Sequence, residues 1–385
     1  MKLRLKLFWF LNFFSVGIFG PYLAVYLYRK GFSGGQIGLF LGAMPIATII
    51  FQPVWSYLSD TLQTRRLLLL IGSLGAGMTA VILGFIESYL ATFLLGLFFA
   101  AMNAPLNTII TAIVLDYLEQ IDEVNAFSLV RLWGSLGFAA SSIIMGGLFL
   151  DQILTLFTWI LAGVYLSLAV LSLLLPEGRQ TFTYTGLKDL KILTENSKFT
   201  IFLLGSIFIG ATFGNQNNYQ TLFLQSLDAS TWMIGFIVSF QALAEVPVMI
   251  AVPYLSKFLS LKWLILLGAI LLPVRWFLYT FIRQPVWIIP TQLINGFAVV
   301  SFFVAAITFI DQSISPKWRA TGQALYGTAM MGIGSGLGVY FAGIILDRFG
   351  VRNIWYLSFA LGLVGLILIA IALSKHSPSN GDSER

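Results

Sequence analysis

Apolar segments of about twenty residues or more follow one another along the whole chain, and only short polar stretches separate them. The hydrocarbon core of a bilayer is about 30 Å thick, so a spanning helix needs roughly twenty apolar residues. The pattern therefore predicts an all-α integral membrane protein with twelve transmembrane helices, at about 7–28, 35–58, 67–86, 90–115, 126–149, 153–174, 199–224, 231–255, 262–282, 286–310, 320–346 and 353–373. Ser33 is predicted to cap the second helix, and the polar segment 228–230 the eighth.

Four short motifs of the first half recur in the second half at offsets of 195–197 residues. The pairs are Ile37-Gly38 with Ile234-Gly235, Tyr57-Leu58-Ser59 with Tyr254-Leu255-Ser256, Asp116 with Asp311, and Gly147-x-x-x-Asp151 with Gly343-x-x-x-Asp347. This repeat predicts two six-helix halves, 1–175 and 198–373, with a cytoplasmic linker at 176–197 and a disordered tail at 374–385. Parallel repeats of this kind hold their substrate at the interface and rock around it.

The composition excludes several classes of protein and site. The chain is 58% hydrophobic and 10% charged, whereas a soluble domain carries about 25% charged residues. It has no cysteine, and its one histidine, His376, lies in the polar tail. Disulfides, thiolate or histidine metal sites and cysteine nucleophiles are therefore excluded. No nucleophile–base constellation is present either, so we expect neither an enzyme nor a cofactor.

The distribution of Lys and Arg predicts the topology. With both termini in the cytoplasm, cytoplasmic basic residues outnumber outer ones by roughly three to one, as the positive-inside rule requires. The outer set is Arg29, Lys30, Arg283, Arg348 and Arg352. The net charge of +6 then reflects basic cytoplasmic loops rather than a nucleic-acid partner. We expect a monomer in the bacterial inner membrane whose partners are the bilayer, a small-molecule substrate and protons.

Three charged residues lie inside apolar segments, where each costs at least about 2.5–3.5 kcal/mol. Glu245 and Arg275 fall midway along adjacent predicted helices, which suggests an ion pair. That pair is either a proton or substrate switch or a static lock between two helices. Arg131 is the third, and either its guanidinium binds a carboxylate, phosphate or polyol, or it braces a gate by pairing with Asp116.

Helix 7 carries a cluster of six polar residues, Asn215 to Gln220. Such a cluster is costly in a membrane unless it lines water, so it either forms a cavity wall or marks an early end of the helix. Trp276 is a candidate for stacking on a ring or sugar, although most membrane tryptophans pack or anchor. With Arg131, the predicted substrate-binding set is Asn215, Asn218, Tyr219, Gln241, Trp276, Gln292 and Asn295. The glycine run at 332–338 is predicted to serve helix packing.

Three stretches of the sequence are distinctive: GPYLAVYL at 20–27, RLWGSLGF at 131–138 and RATGQAL at 319–325. They resemble the major facilitator superfamily, especially its phenylpropionate-permease group, relatives of lactose permease and the nucleoside–proton symporters. The resemblance implies the superfamily fold, a substrate contact at Arg131, and a helix 8 acid and helix 9 arginine at Glu245 and Arg275. It also suggests gating residues at Asp60, Arg65, Asp116, Asp311 and Arg319.

The departures from this group concern proton handling. Ser56 replaces the first glycine of the signature loop, and Asn295 stands where relatives have a histidine. Thr108 and Asn215 occupy positions where relatives carry acids, so Glu245 is left as the principal candidate for coupling. We therefore expect a secondary transporter that imports a small organic solute, such as an aromatic acid, nucleoside or sugar, by proton symport. A uniporter or exporter of the same solutes, or a non-transporting receptor, is the alternative.

Overall fold

The structure is a computed structural model that describes residues 1–62, 64–123, 126–177, 196–255, 258–314 and 318–374, apart from a few side chains within these ranges. This part of the chain is helical and has no strand. The helices are α1 (Lys2–Arg29), α2 (Gly34–Leu62), α3 (Arg65–Leu83), α4 (Tyr89–Gln120), α5 (Phe127–Ile144, continued by a π-helical turn at Met145–Phe149), α6 (Ile153–Ser172), α7 (Ser197–Gln225), α8 (Thr231–Leu255), α9 (Leu261–Phe281), α10 (Ile288–Ser313), α11 (Arg319–Gly327, continued by a π-helical segment at Thr328–Gly334 and by Ser335–Phe349) and α12 (Asn353–Ser374).

The predicted helices are confirmed with small shifts of their ends. Eleven are long and apolar enough to cross a membrane, and α6 has a shorter apolar stretch, Leu156–Ser172. Both predicted caps form. Ser33 Oγ accepts from the Gln36 backbone amide at 3.2 Å, and the Ser33 backbone amide donates to Gln36 Oε1 at 3.0 Å. Ser230 Oγ accepts from the Met233 amide at 3.3 Å. Most of the predicted linker and the predicted tail lie outside the described residues.

Within the first six helices, α1 packs on α5 and α6, and α3 packs on α4 and α6. Within the last six, α7 packs on α11 and α12, and α9 packs on α10 and α12. The two sets meet through α2 with α11, α5 with α8, and α1 with α7. We call these sets the first and second halves.

The contacts between the halves run from the middle of the helices to the ends opposite the chain termini. A Cβ on Gly38 of α2 would lie 2.9 Å from the Tyr340 carbonyl oxygen of α11, and one on Gly235 of α8 would lie 2.9 Å from that of Ile143 of α5. Asp347 adds polar contacts, because its carboxylate accepts from the Gly34 amide at 2.5 Å and the Gly35 amide at 2.6 Å. By contrast, α4 and α10 make no extensive contact with each other in the described chain.

The glycine run of α11 packs helices together, as predicted. Gly334 and Gly338 meet the backbone of α7, and Gly336 meets the backbone of α2 in the other half. Gly334, Gly336 and Gly338 thus face α7, α2 and α7 in turn. A Cβ on Gly336 would lie 2.7 Å from the Gly42 carbonyl oxygen. This run therefore lets α11 lie between the two halves at close range.

Candidate functional site

The core of the candidate site is the guanidinium of Arg275, which is fully buried in α9. Its Nη1 donates to Gln216 Oε1 at 2.8 Å and to Asn295 Oδ1 at 2.7 Å. Its Nη2 donates to Tyr279 Oη and to Gln292 Oε1, both at 2.9 Å. A buried positive charge is thus held by four neutral oxygen atoms that come from α7, α9 and α10.

The predicted ion pair between Glu245 and Arg275 does not form in this structure. Glu245 is half-buried on α8 and makes no ion pair or hydrogen bond with any described residue. Both Nη atoms of the guanidinium are already bonded to neutral side chains. The two charges still interact electrostatically, although the two side chains form no ion pair.

Several donors around Arg275 have no partner among the described atoms. They are the Nε of Arg275 and the amide nitrogens of Gln216, Gln220 and Asn295, together with the indole N–H of Trp276. Buried polar groups are nearly always hydrogen-bonded, so a concentration of free donors calls for an explanation. The oxygen atoms in this cluster are used, and the surplus consists of N–H groups.

A cavity of about 10 Å³, enough for about one water molecule in this state, lies beside this cluster, between the two halves. It is lined by Pro21, Phe138, Gln216, Asn217, Gln220, Thr221, Val238 and Gln241. Pro21 and Phe138 come from the first half, and the other lining residues come from α7 and α8. Gln216 and Gln220 therefore belong both to the wall of the cavity and to the Arg275 cluster. Of the predicted substrate-binding residues, Gln241 lies in this wall.

Four other predicted binding residues serve packing or support. Tyr219 is buried and donates to the Val339 carbonyl at 3.0 Å, and Asn215 donates to Ser358 Oγ at 3.0 Å. Asn218 bonds the Gly214 carbonyl of its own helix at 2.9 Å. Trp276 is fully buried and stacks on Trp355, with ring centroids 5.3 Å apart. Stacking of a solute on Trp276, as the sequence suggested, is therefore wrong for this structure.

Gln292 and Asn295 lie behind the cavity as ligands of Arg275, outside its wall. The polar cluster of α7 does not end the helix, since α7 continues to Gln225. The alternative of an early helix end is thus wrong. Tyr279 was missed from the sequence, although it follows Arg275 by four residues and so falls on the same helix face.

The predicted brace between Arg131 and Asp116 is also wrong. Asp116 pairs instead with Arg65, at 2.6 Å and with both side chains buried. Arg131 is exposed near the start of α5 and makes no hydrogen bond or ion pair with the described residues. The alternative prediction, that the Arg131 guanidinium binds a solute, stays a prediction.

The remaining gating candidates have local partners. Asp311 accepts from Gln323 at 2.8 Å through its carboxylate, and Arg319 donates to the Asp311 carbonyl at 3.0 Å. These contacts lie within the second half. The Asp60 side chain lies outside the described part of the structure.

Comparisons with known proteins agree with this architecture. The sequence profile of the MFS_1 like family matches residues 2–357. The chain is 28% identical to the uncharacterized transporter YwbF of Bacillus subtilis, over 97% of this chain and 94% of that protein. It is 26% identical to the maltose permease of Geobacillus stearothermophilus, over 100% of this chain and 97% of that protein.

Among solved structures, the nucleoside transporter NupG superposes with a TM-score of 0.87 at 20% identity, covering 97% of this chain and 99% of that one. This likeness concerns the fold, which is that of the major facilitator superfamily. The relatives are membrane permeases and not enzymes. From the family match over nearly the whole chain, we conclude that this protein is a multi-pass membrane transporter belonging to the MFS_1-like family of the major facilitator superfamily.

Proposed function

We propose that the protein is a proton-coupled symporter that takes up a small organic solute across the bacterial inner membrane. The observation that carries this proposal is the cavity between the halves, whose wall contains amide side chains with unpartnered hydrogens. Transporters built from parallel repeats bind their substrates at such an interface. The relatives named for maltose and nucleosides, and a probable 3-phenylpropionic acid transporter, suggest the range of solutes to test.

The direction of opening follows from the contacts between the halves. They concentrate at the ends opposite the chain termini, where Gly38, Gly235 and Asp347 lie. If both termini are cytoplasmic, as the Lys and Arg distribution favours, this structure is closed on the outside. Rocking of the halves would then break these contacts and expose the cavity to the exterior.

Glu245 is the carboxylate that we propose for proton coupling. It is half-buried on α8, four residues beyond Gln241 in the cavity wall, so both fall on one helix face. It has no hydrogen-bond partner among the described residues, and it senses the charge of Arg275. An intramembrane acid with these properties can change protonation as solute and conformation change.

The experiment is uptake into proteoliposomes with and without an imposed pH gradient, using Glu245→Gln. The substitution keeps the shape of the side chain and removes its titration. We expect loss of gradient-driven accumulation and retention of exchange down a solute gradient. Glu123→Gln is the matched control, because Glu123 forms an exposed pair with Lys2. Undiminished accumulation by Glu245→Gln would remove this acid from the mechanism and favour a uniporter.

A further inference from the structure

We propose that Arg275 is a positioning residue that fixes the hydrogen-bonding polarity of the solute site. It acts directly on Gln216 and, through Tyr279, on Gln220, so that both amides turn their N–H groups toward the cavity. The site then selects uncharged solutes that present carbonyl, hydroxyl or ring-nitrogen acceptors. This inference rests on the proposed transport function and deepens it.

The orientation of Gln216 is forced by chemistry. A guanidinium has donors and no acceptor, so the amide that meets Arg275 Nη1 at 2.8 Å must present its oxygen. The Gln216 nitrogen therefore points elsewhere, and it has no partner among the described atoms. Since Gln216 lines the cavity, we assign its two amide hydrogens to a solute.

Gln220 is oriented by the same argument, one step further away. The Tyr279 hydroxyl oxygen accepts from Arg275 at 2.9 Å and from Gln292 at 3.3 Å. Its single hydrogen is left for Gln220 Oε1, 3.4 Å away. The amide nitrogen of Gln220 is again free, and this side chain also lines the cavity.

The charge balance favours an uncharged solute. Arg275 contributes one positive charge to the membrane interior, and Glu245 interacts with it electrostatically. While Glu245 is ionised, before it takes up a proton, this region is neutral overall. A solute carboxylate would add an uncompensated negative charge to that state at membrane depth, which is costly. A neutral acceptor that bonds the amide donors, in contrast, leaves the net charge of this region unchanged. An uncharged solute is therefore favoured in the state with ionised Glu245.

The test compares two substitutions, each of which introduces a glutamate carboxylate in contact with Arg275. Gln216→Glu replaces an amide that faces the cavity, so its free donors are lost and an acceptor is left. Gln292→Glu is the matched control. Gln292 also accepts from Arg275, but its amide nitrogen donates to Tyr279, and Gln292 does not line the cavity. Both variants can pair with Arg275 and are expected to fold, which thermal melting checks.

The readout is counterflow in proteoliposomes with maltose, uridine and 3-phenylpropionate as probes. The unmodified protein is expected to exchange maltose or uridine and not 3-phenylpropionate. Gln216→Glu should raise KM about tenfold with the maximal rate within about twofold, because one solute hydrogen bond is lost. Gln292→Glu should leave KM within about twofold. Tyr279→Phe, which frees Gln220, should raise KM by a smaller factor.

Arg275→Lys tests whether Arg275 orients Gln216 or only supplies a buried positive charge to the fold. A single ammonium cannot reproduce the guanidinium fork that holds Gln216 and Asn295 together, so KM should rise as in Gln216→Glu. The double variant should raise KM little more than either single variant, because both substitutions disrupt the same contact between Arg275 and residue 216. Full additivity, equal KM for the two carboxylate variants, or preference for 3-phenylpropionate would overturn this inference. Failure of the unmodified protein to move any probe would overturn the proposed function itself, and this inference with it.

Discussion

Each half contains a polar network, and the two networks differ in charge and in completeness. In the first half, Asn12 of α1 donates to Asn107 of α4 at 2.7 Å. Tyr165 of α6 donates to Asn103 at 2.9 Å, and its hydroxyl lies 3.3 Å from Ser15 Oγ. This network is neutral, and none of these side chains is left with an unpartnered buried atom.

The second-half network surrounds a positive charge and leaves donors unused. Arg275 is bonded to four oxygens, while the nitrogens of Gln216, Gln220 and Asn295 lack partners. A satisfied neutral network specifies packing, whereas a partly satisfied charged one is costly and needs a reason to exist. The comparison favours helix packing as the role of the first network, and it agrees with the solute binding that we propose for the second.

The substitution with the largest expected effect on the second-half network is Arg275→Met. It removes the donor for the buried oxygens of Gln216, Gln292 and Asn295, each of which costs about 1–3 kcal/mol when unpaired. We expect the free energy of unfolding to fall by about 3–5 kcal/mol. Chemical denaturation in detergent measures it, and a loss below about 1 kcal/mol would contradict the central role of this charge.

Asn12→Ala probes the first network and should have a smaller effect. It breaks the bond to Asn107, but Asn107 is exposed and can bond water instead. The expected loss is about 1–2 kcal/mol, from one hydrogen bond and a small cavity. The same denaturation experiment applies, and solute KM should not change. A change in KM would mean that the first network also serves binding.

Tyr165→Phe should have the smallest effect of the three. The ring keeps its packing, and only the hydroxyl that bonds Asn103 is removed. Asn103 is half-buried and Ser15 also contacts the Asn12 carbonyl, so neither is stranded. We expect a loss of about 0.5–1 kcal/mol. A loss as large as that of Arg275→Met would erase the difference between the two networks.

The helices of this fold were predictable because the bilayer imposes their length. Apolar runs and caps such as Ser33 mark the segments, and α8 begins and ends at the predicted residues. The glycine run at 332–338 likewise predicts close helix packing. These features depend on residues near one another in sequence, which periodicity and capping describe well.

The partners of Arg275 were not predictable in the same way. Which residue a buried charge meets depends on the rotation of each helix about its axis, and depth alone suggested Glu245. A signal was present nonetheless: Gln216 and Gln220, like Arg275 and Tyr279, are spaced by four residues and so share a helix face. Two such pairs on helices of the same half favour a neutral network over a single ion pair.

The carboxylate of Asp347 stabilises the conformation in which the two halves meet at the ends opposite the chain termini. It caps the first turn of α2 across the boundary between the halves, and an acid at a helix N-terminus contributes about 0.3–1 kcal/mol, up to about 2 in partly buried settings. Such an energy shifts a two-state equilibrium by roughly two- to thirtyfold toward the state that contains it. By linkage, a solute that binds the opposite state must overcome that bias. The apparent affinity measured from one side of the membrane is therefore set in part by a residue that lies outside the cavity wall.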